Sequence, residues 1–202
     1  MSESANRSRL FELRREVVAA RRSAELLERK REVLLHEVAR HTAAGAALRS
    51  GVLPRYSAAH EALRVACVEA GRDPIASAAV AQIPRCSVRA RAEGVMGVSL
   101  LKLTIEVEPF RAFYSTGGTT ASVDDAAIAF RELAADIIRL AEEELAVTRL
   151  EIAARKTGRL LNALDKIIIP RIEHEIRTIV DGLEEEERDE AARGRIRRRA
   201  AG

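Results

Sequence analysis

Between residues 4 and 49 the apolar positions step by three and four, with no proline and a single glycine. Setting Leu10 at a and Leu13 at d carries a seven-residue repeat through Val17, Ala20, Ala24, Leu27, Arg31, Leu34, Val38, His41, Gly45 and Leu48. A repeat of 3.5 residues on a helix of 3.6 must supercoil to keep its stripe inward, so a left-handed coiled-coil seam is predicted. Such a helix reaches roughly 70 Å. Gly51 and Pro54 are expected to end it, since proline lacks the N–H and crowds the preceding turn. Residues 56–70 place Tyr56, Ala59, Leu63, Ala66 and Ala70 on one helical stripe. Gly71-Arg72-Asp73-Pro74 then predicts a turn, with Pro74 opening a short Ala-rich helix.

Between Pro84 and Gly118 the period falls to two. Leu101, Leu103, Ile105 and Val107 alternate with Lys102, Thr104, Glu106 and Glu108, which predicts a strand. Ser87–Ala92 alternates more weakly, and Gly94 and Gly97 are expected to supply a turn or bulge. A small β-hairpin or three-strand excursion follows, closed by a loop at Ser115-Thr116-Gly117-Gly118. Ser122-Val123-Asp124-Asp125 resembles a capping box. From there to about residue 197 the stripe is helical again: Leu133, Ile137, Leu140, Val147, Leu150, Ala154, Thr157, Leu161, Leu164, Ile168, Ile172, Ile176, Ile179 and Leu183. The step from 168 to 179 spans eleven residues, so supercoiling should relax there, and Pro170 predicts a bend near Lys166.

The architecture expected is all-α: a long antiparallel coiled coil of N- and C-terminal helices with a small central β-hairpin and short-helix region. Its segments are 1–50 (N-terminal coiled-coil helix), 51–121 (central short helices and hairpin) and 122–202 (C-terminal coiled-coil helix). Antiparallel pairing is favoured because a parallel pair would need the connection to run the whole length back. If the termini meet, partner residue numbers should sum to roughly 200, placing Leu27 near Ile172 or Ile176 and Leu48 near Leu150 or Ala154.

Composition narrows the core rather than the fold. Of 202 residues only 3% are aromatic, none is Trp, and much of the 47% apolar share is Ala, which removes little surface from water. Narrow helix–helix seams therefore replace a thick core. Charged residues make up 32%, with a net charge of +3 and the signs interspersed until an Arg-rich end at 193–199. Only that end gathers charge as a nucleic-acid binder does; it complements the helix macrodipole, contacts a partner, or binds phosphate backbones or anionic lipid. No stretch has the apolar core of a signal peptide or a membrane span, so a cytosolic protein with no direct membrane insertion is expected.

Catalytic chemistry has no foothold. Thr116-Gly117-Gly118-Thr119 lacks the lysine and frame of a phosphate loop. His36 and His41 point about 140° apart on a helix and cannot share a metal, and Cys67 and Cys86 have neither disulfide-framework nor metal spacing. Glu142–Glu144 fall mid-helix with no His nearby in the sequence, so acid–base chemistry has nothing specific behind it, and Glu184–Glu187 read as a solvated helix face rather than a cation site. No catalytic, cofactor or metal site is expected. Arg31, a cation on the seam, is expected to set register by snorkelling or pairing, or to meet a carboxylate supplied by another protein of a complex.

Several runs carry a family resemblance. Arg7-Ser8-Arg9-Leu10-Phe11-Glu12-Leu13 and Leu26-Leu27-Glu28-Arg29-Lys30-Arg31-Glu32-Val33-Leu34 resemble the N-terminal helix of the D subunit of V/A-type rotary ATPases. Lys156-Thr157-Gly158-Arg159-Leu160-Leu161-Asn162-Ala163-Leu164-Asp165, followed by Ile169-Pro170, is similar to that family's most distinctive stretch. Glu187-Arg188-Asp189-Glu190 and Val95-Met96-Gly97-Val98 resemble its tail and central signatures. Glu28, Ser23 and Ser99-Leu100 depart from the pattern.

The resemblance implies a non-catalytic central rotor shaft, cytoplasmic and peripheral to the membrane, that couples ATP hydrolysis or synthesis to ion (proton or sodium) transport. Its implied partners are the catalytic and non-catalytic head subunits (A and B), the small central-stalk F subunit and a membrane-ring adaptor. Arg7, Arg9, Arg14, Arg188, Arg195 and Arg197 are expected to contact the head, and Val95, Met96, Gly97 and Val98 the stalk or adaptor. The expected seam is Leu10, Leu13, Val17, Leu27, Leu34, Val38, Leu161, Leu164, Ile168, Ile172, Ile176 and Ile179. A freestanding coiled-coil scaffold or basic nucleic-acid-binding adaptor would explain the heptads and the Arg-rich end, but not the run from Asn162 to Pro170.

Overall fold

A computed structural model describes residues 3–81, 86–107, 110–115 and 118–200; Pro84, Glu108 and the Thr116-Gly117 pair lie outside these. In chain order the elements are α1 (Glu3–Ala70), α2 (Arg72–Ala81), β1 (Cys86–Val95), β2 (Val98–Val107), α3 (Ala121–Ala163), a π turn (Leu164–Ile168) and α4 (Ile169–Ala200). The architecture is thus long N- and C-terminal helices with one two-stranded antiparallel hairpin between them.

The expected break at Gly51 and Pro54 does not occur: α1 runs through both to Ala70. Pro54 forfeits the bond to the Ser50 carbonyl, but both residues lie on an exposed face where water can take that carbonyl. Burial on either side, at Gly45 and Ala59, holds the helix together across the defect. Gly71 is the residue that ends α1. It adopts φ 81°, a conformation free of strain only for glycine, and its N–H bonds the Cys67 carbonyl at 3.2 Å.

Two compact units make up the chain. In the first, residues 1–32 and 154–202, Leu13, Val17 and Ala24 of α1 are buried, as are Ala154, Thr157 and Leu161 of α3. Arg7 pairs with Glu187 at 3.2 Å and Arg21 with Glu173 at 2.6 Å, so the helices run antiparallel. In the second, residues 33–153, Leu34 and Leu150 are fully buried, and His41, Arg49 and Arg55 reach Glu143, Glu144 and Asp136. That set is antiparallel too. Each fully buried Leu contributes about 1.5–3 kcal/mol, whereas each exposed ion pair contributes about 1 kcal/mol or less. Apolar burial therefore fixes the pairing and the ion pairs trim it.

The antiparallel pairing is as expected, and Arg7–Glu187 and Arg21–Glu173 fall within several residues of the expected sum, but the partners of Leu27 and Leu48 are displaced. Within the first unit Arg31 lies over Gly158 and Arg21 over Glu173, so Leu27 lies opposite residues N-terminal to Ile172. Within the second, Arg49 meets Glu144, which places Leu48 short of Leu150. Seam packing sets the register, not coincidence of the chain ends, and α4 consequently overhangs the start of α1 by about ten residues, or ~15 Å. Ile196, in the overhang, is 67% exposed.

A satellite core sits in the second unit, where Ala66, Ala78, Val123 and Ala126 pack with Leu63, Ile75 and Tyr114. The helix α3 begins one residue before the expected cap: the Val123 N–H bonds the Thr120 carbonyl at 3.0 Å, and Thr120 and Ser122 share a hydroxyl contact at 2.6 Å. Asp124 accepts instead from the Tyr114 hydroxyl. Burial, reinforced by that carboxylate, pushes the Tyr114 phenol well above its ordinary range. The sign follows from linkage. With the folded pKa raised, the stability from the neutral phenol is complete below about pH 10 and is lost as the pH climbs above it. Tyr114→Phe should cost about 1–2 kcal/mol at neutral pH by stranding Asp124 and should flatten the alkaline fall in urea-measured stability. An unchanged alkaline slope would mean that Tyr114 is not the group responsible.

Candidate partner-binding surfaces

The paired helices and the hairpin present side chains to possible partners, and the seam decides what the helices can present. On α1 the seam residues Leu13, Val17 and Leu34 are buried, and Leu10, Leu27 and Val38 are half-buried. Arg31 is exposed. Its aliphatic stem crosses Gly158, where a built Cβ would lie 3.5 Å from Arg31 Nε and 3.8 Å from Cδ. The cation thus snorkels over a position that carries no side chain, so the seam tolerates it without a buried charge.

The C-terminal seam is re-phased by the π turn. Leu161 is buried and Leu164 half-buried, but Ile168 is 42% exposed, and Ile169 takes its inward place. The Ile169 N–H bonds the Leu164 carbonyl, a five-residue step that adds one residue to the turn. The wider turn precedes Pro170, whose missing N–H would otherwise break the four-residue ladder at Lys166. Ile172, Ile176 and Ile179 then return to half-buried positions. Ile168 therefore does not occupy the seam, and ahead of Pro170 the helix winds through a π turn. Its cost is an exposed apolar band: Leu160 is 50% and Ile167 65% exposed.

Periodicity also missed Asp136. The sequence favoured Ile137, which is 46% exposed, whereas Asp136 is 8% exposed, bonded by Arg55 and 3.6 Å from Arg139. Steps of three-then-four and four-then-three both fit the heptad between Leu133 and Leu140, so only the partner Arg55 decides between them. No local signal marks Arg55 as that partner.

In the first unit, Arg7 pairs with Glu187, Arg9 with Glu12, Glu16 and Glu175, and Arg188 with Glu184. Arg195 donates from Nε to the Ala191 carbonyl at 3.3 Å. Arg14 is exposed and, with Phe11, Arg15, Val18 and Arg22, lines a shallow open groove on the outer face of α1. The Arg197 side chain lies outside the described residues. The Glu–Arg alternation leaves a surface of short local pairs.

In the second unit, β1 and β2 pair in continuous register from Cys86↔Val107 to Val95↔Val98. Gly94 is paired with Ser99 inside the ladder, so no bulge forms there. The turn is Met96-Gly97, with φ 49° and 79°, and both central residues at positive φ match the tight turn whose twist suits a hairpin. Met96 is 48% exposed and Val95 and Val98 are half-buried. Leu100 packs inward at 6% exposure, the Arg149 guanidinium donates to the Ser99 carbonyl at 2.7 Å, and the Leu103 N–H donates to Glu142 at 2.8 Å. The hairpin is thus fastened to α3 along β2, while among the described residues β1 pairs only with β2. Among the described residues no group of three or more His, Cys, Asp or Glu converges as a metal site, and no helix is long and apolar enough to cross a membrane.

Comparison with known proteins accounts for nearly the whole chain, helices and hairpin together. Residues 9–199 match the ATP synthase D-subunit family. The chain belongs to that family. The D subunit of the A-type ATP synthase of Pyrococcus furiosus is 33% identical over 186 residues, covering 91% of this chain and 87% of that protein. The D subunit of the V-type ATP synthase of Thermotoga neapolitana is 31% identical over 193 residues, covering 96% and 95%. Its counterpart in the V-type ATP synthase of Thermus thermophilus is 32% identical over 192 residues, covering 94% and 85%.

Membership in the D-subunit family spans both surfaces, the paired helices and the hairpin. Gly158 tests whether Arg31 owes its place to the missing side chain. A methyl there meets Arg31 only at ordinary contact distance, and glycine within a helix costs about 0.5–1 kcal/mol relative to alanine. Gly158→Ala should therefore stabilise the chain by about that amount in urea unfolding. A net loss would show that Arg31 requires the bare backbone.

Proposed function

We propose that this D-family chain is the central rotor shaft of a V/A-type ATPase or ATP synthase, without catalytic activity of its own. The observation that carries the proposal is the match to the family from residue 9 to residue 199, in a chain whose paired helices bury only a narrow apolar strip. Two unlike helices cannot present the same face in every direction. A ring of alternating catalytic and non-catalytic subunits around such a shaft meets different surfaces at each site, so its sites cannot share one conformation. Rotation and nucleotide state are then linked through differential contacts. Short Arg–Glu pairs suit a surface that exchanges partners, because none provides a dominant adhesive patch.

The head contacts assigned are Arg7, Arg9, Arg14, Arg188, Arg195 and Arg197, toward the end of the first unit where α1 begins and α4 ends. The hairpin turn, Val95 to Val98, is assigned to the small central-stalk F protein or to the adaptor of the membrane ring. Residues 1–50 and 122–202 then form the shaft and 51–121 its central insert. The complex places the chain in the cytoplasm, peripheral to a membrane across which protons or sodium ions move.

Deleting residues 193–202 removes a cluster of Arg charges and almost no seam. Stability should change by about 0.5 kcal/mol or less, while ATP turnover of a reconstituted head responds poorly to the truncated chain and binding to the small stalk partner survives. Full stimulation of the head with loss of stalk-partner binding would invert the assignment of the two surfaces. The intact chain alone should hydrolyse no ATP, since its sequence supplies neither a phosphate loop nor a base positioned for water. Hydrolysis that co-purifies with the chain through successive columns would defeat the proposal.

A further inference from the structure

His41 lies on the seam of the second unit with its side chain 13% exposed, in contact with groups on both helices. Its Nδ1 is 2.6 Å from Glu143 Oε2 on α3. Its Nε2 is 3.0 Å from Arg40 Nη2 on α1 and 4.0 Å from Glu37 Oε2. Arg40 in turn donates to Glu37 from Nε at 3.0 Å and from Nη2 at 2.6 Å. That bond holds the Glu37 carboxyl below its usual range and the Arg40 guanidinium above its own.

A guanidinium can only donate, so the nitrogen facing it must be bare. The geometry therefore requires neutral His41 with its proton on Nδ1, donating to Glu143 while Nε2 accepts from Arg40. Every polar group of the relay is satisfied in that one tautomer. Adding a proton to Nε2 sets two cationic donors against each other at a hydrogen-bond distance. Glu37 is the nearest acceptor for the new N–H, one helical turn away on the same face.

We propose that His41 is a protonation switch: charging it transfers Glu37 from Arg40 to His41 Nε2 and releases Arg40 from both contacts. The imidazolium is then held between Glu37 and Glu143, and the α1–α3 contact becomes charge-assisted. The other charges around the relay are His36, whose charge acts on Glu37, and, on α3 and the hairpin, Glu142, Lys102 and Glu93. Glu142, next to Glu143, anchors the Leu103 N–H and lies 3.7 Å from Lys102. Glu93 of β1 already acts on Arg40 through its charge. Freed Arg40, with its side chain 58% exposed, gains Glu93 as its partner, so acidification ties α1 to the hairpin.

The test uses the full chain labelled with ¹⁵N. Imidazole resonances at about pH 8 should report the Nδ1–H tautomer of His41. Arg40→Gln should favour the charged ring and Glu37→Gln should disfavour it, because each removes one side of the competition. Backbone amide exchange in β1 and β2, compared between variants at one pH, should quicken several-fold in Arg40→Gln and in Glu93→Gln at about pH 5.5. The double variant should add nothing, and none should differ from wild type at about pH 8. A His41 that merely fills the seam gives the same titration in both Gln variants, and that result overturns the switch. An Nε2–H tautomer at pH 8, or hairpin exchange indifferent to Arg40 and Glu93 at acid pH, overturns it equally.

Discussion

The narrow apolar seam of antiparallel helices is the constraint on which the remaining features depend. Along the paired helices of each unit a line of small and medium side chains, such as Leu13, Val17 and Ala24 in one and Leu34 and Leu150 in the other, is removed from water. Such a strip leaves no reserve for error in register, so each misfit must be absorbed where it arises. Pro170 is absorbed by a π turn, Arg31 by keeping its side chain exposed, and Asp136 by a crossing arginine. Each device keeps the seam continuous and moves its cost to the surface, as the exposure of Ile167, Ile168 and Ile137 records.

The helical frame was legible because period and composition agree over long windows. The stripe on α1 from Leu10 to Leu48 is buried or half-buried at every position except Arg31. The strand alternation at Leu101 to Ile105 lies in β2, where these residues face Val88, Ala90 and Ala92 across the ladder. Breakers were less legible, since a proline stops a helix only when flanking burial cannot offset it. Pro54 sits on a water-facing side and is carried through; Pro170 changes the winding. Gly94 and Gly97 looked equivalent in sequence, yet only Gly97 has the positive φ of a turn.

Polar partners were hidden from one-dimensional reasoning altogether. His41 with Glu143, Arg55 with Asp136, and Tyr114 with Asp124 join residues whose spacing along the chain carries no pattern. Such groups are also the ones that respond to protonation. Since apolar contacts are indifferent to pH, the polar sites in and beside the seam are where conditions can alter the pairing of the helices. The outer surface obeys a different rule, with Arg and Glu neutralising one another over short distances. A surface of that kind can make contacts and release them.

Purification of the chain from its own cells under gentle conditions, with identification of everything retained, tests the rotor assignment most directly. The account predicts that catalytic and non-catalytic subunits of a rotary ATPase come with it in excess over the chain, and that their ATPase activity falls when the chain is stripped away. Recovery of the chain by itself or on nucleic acid, with the head subunits absent, would contradict it.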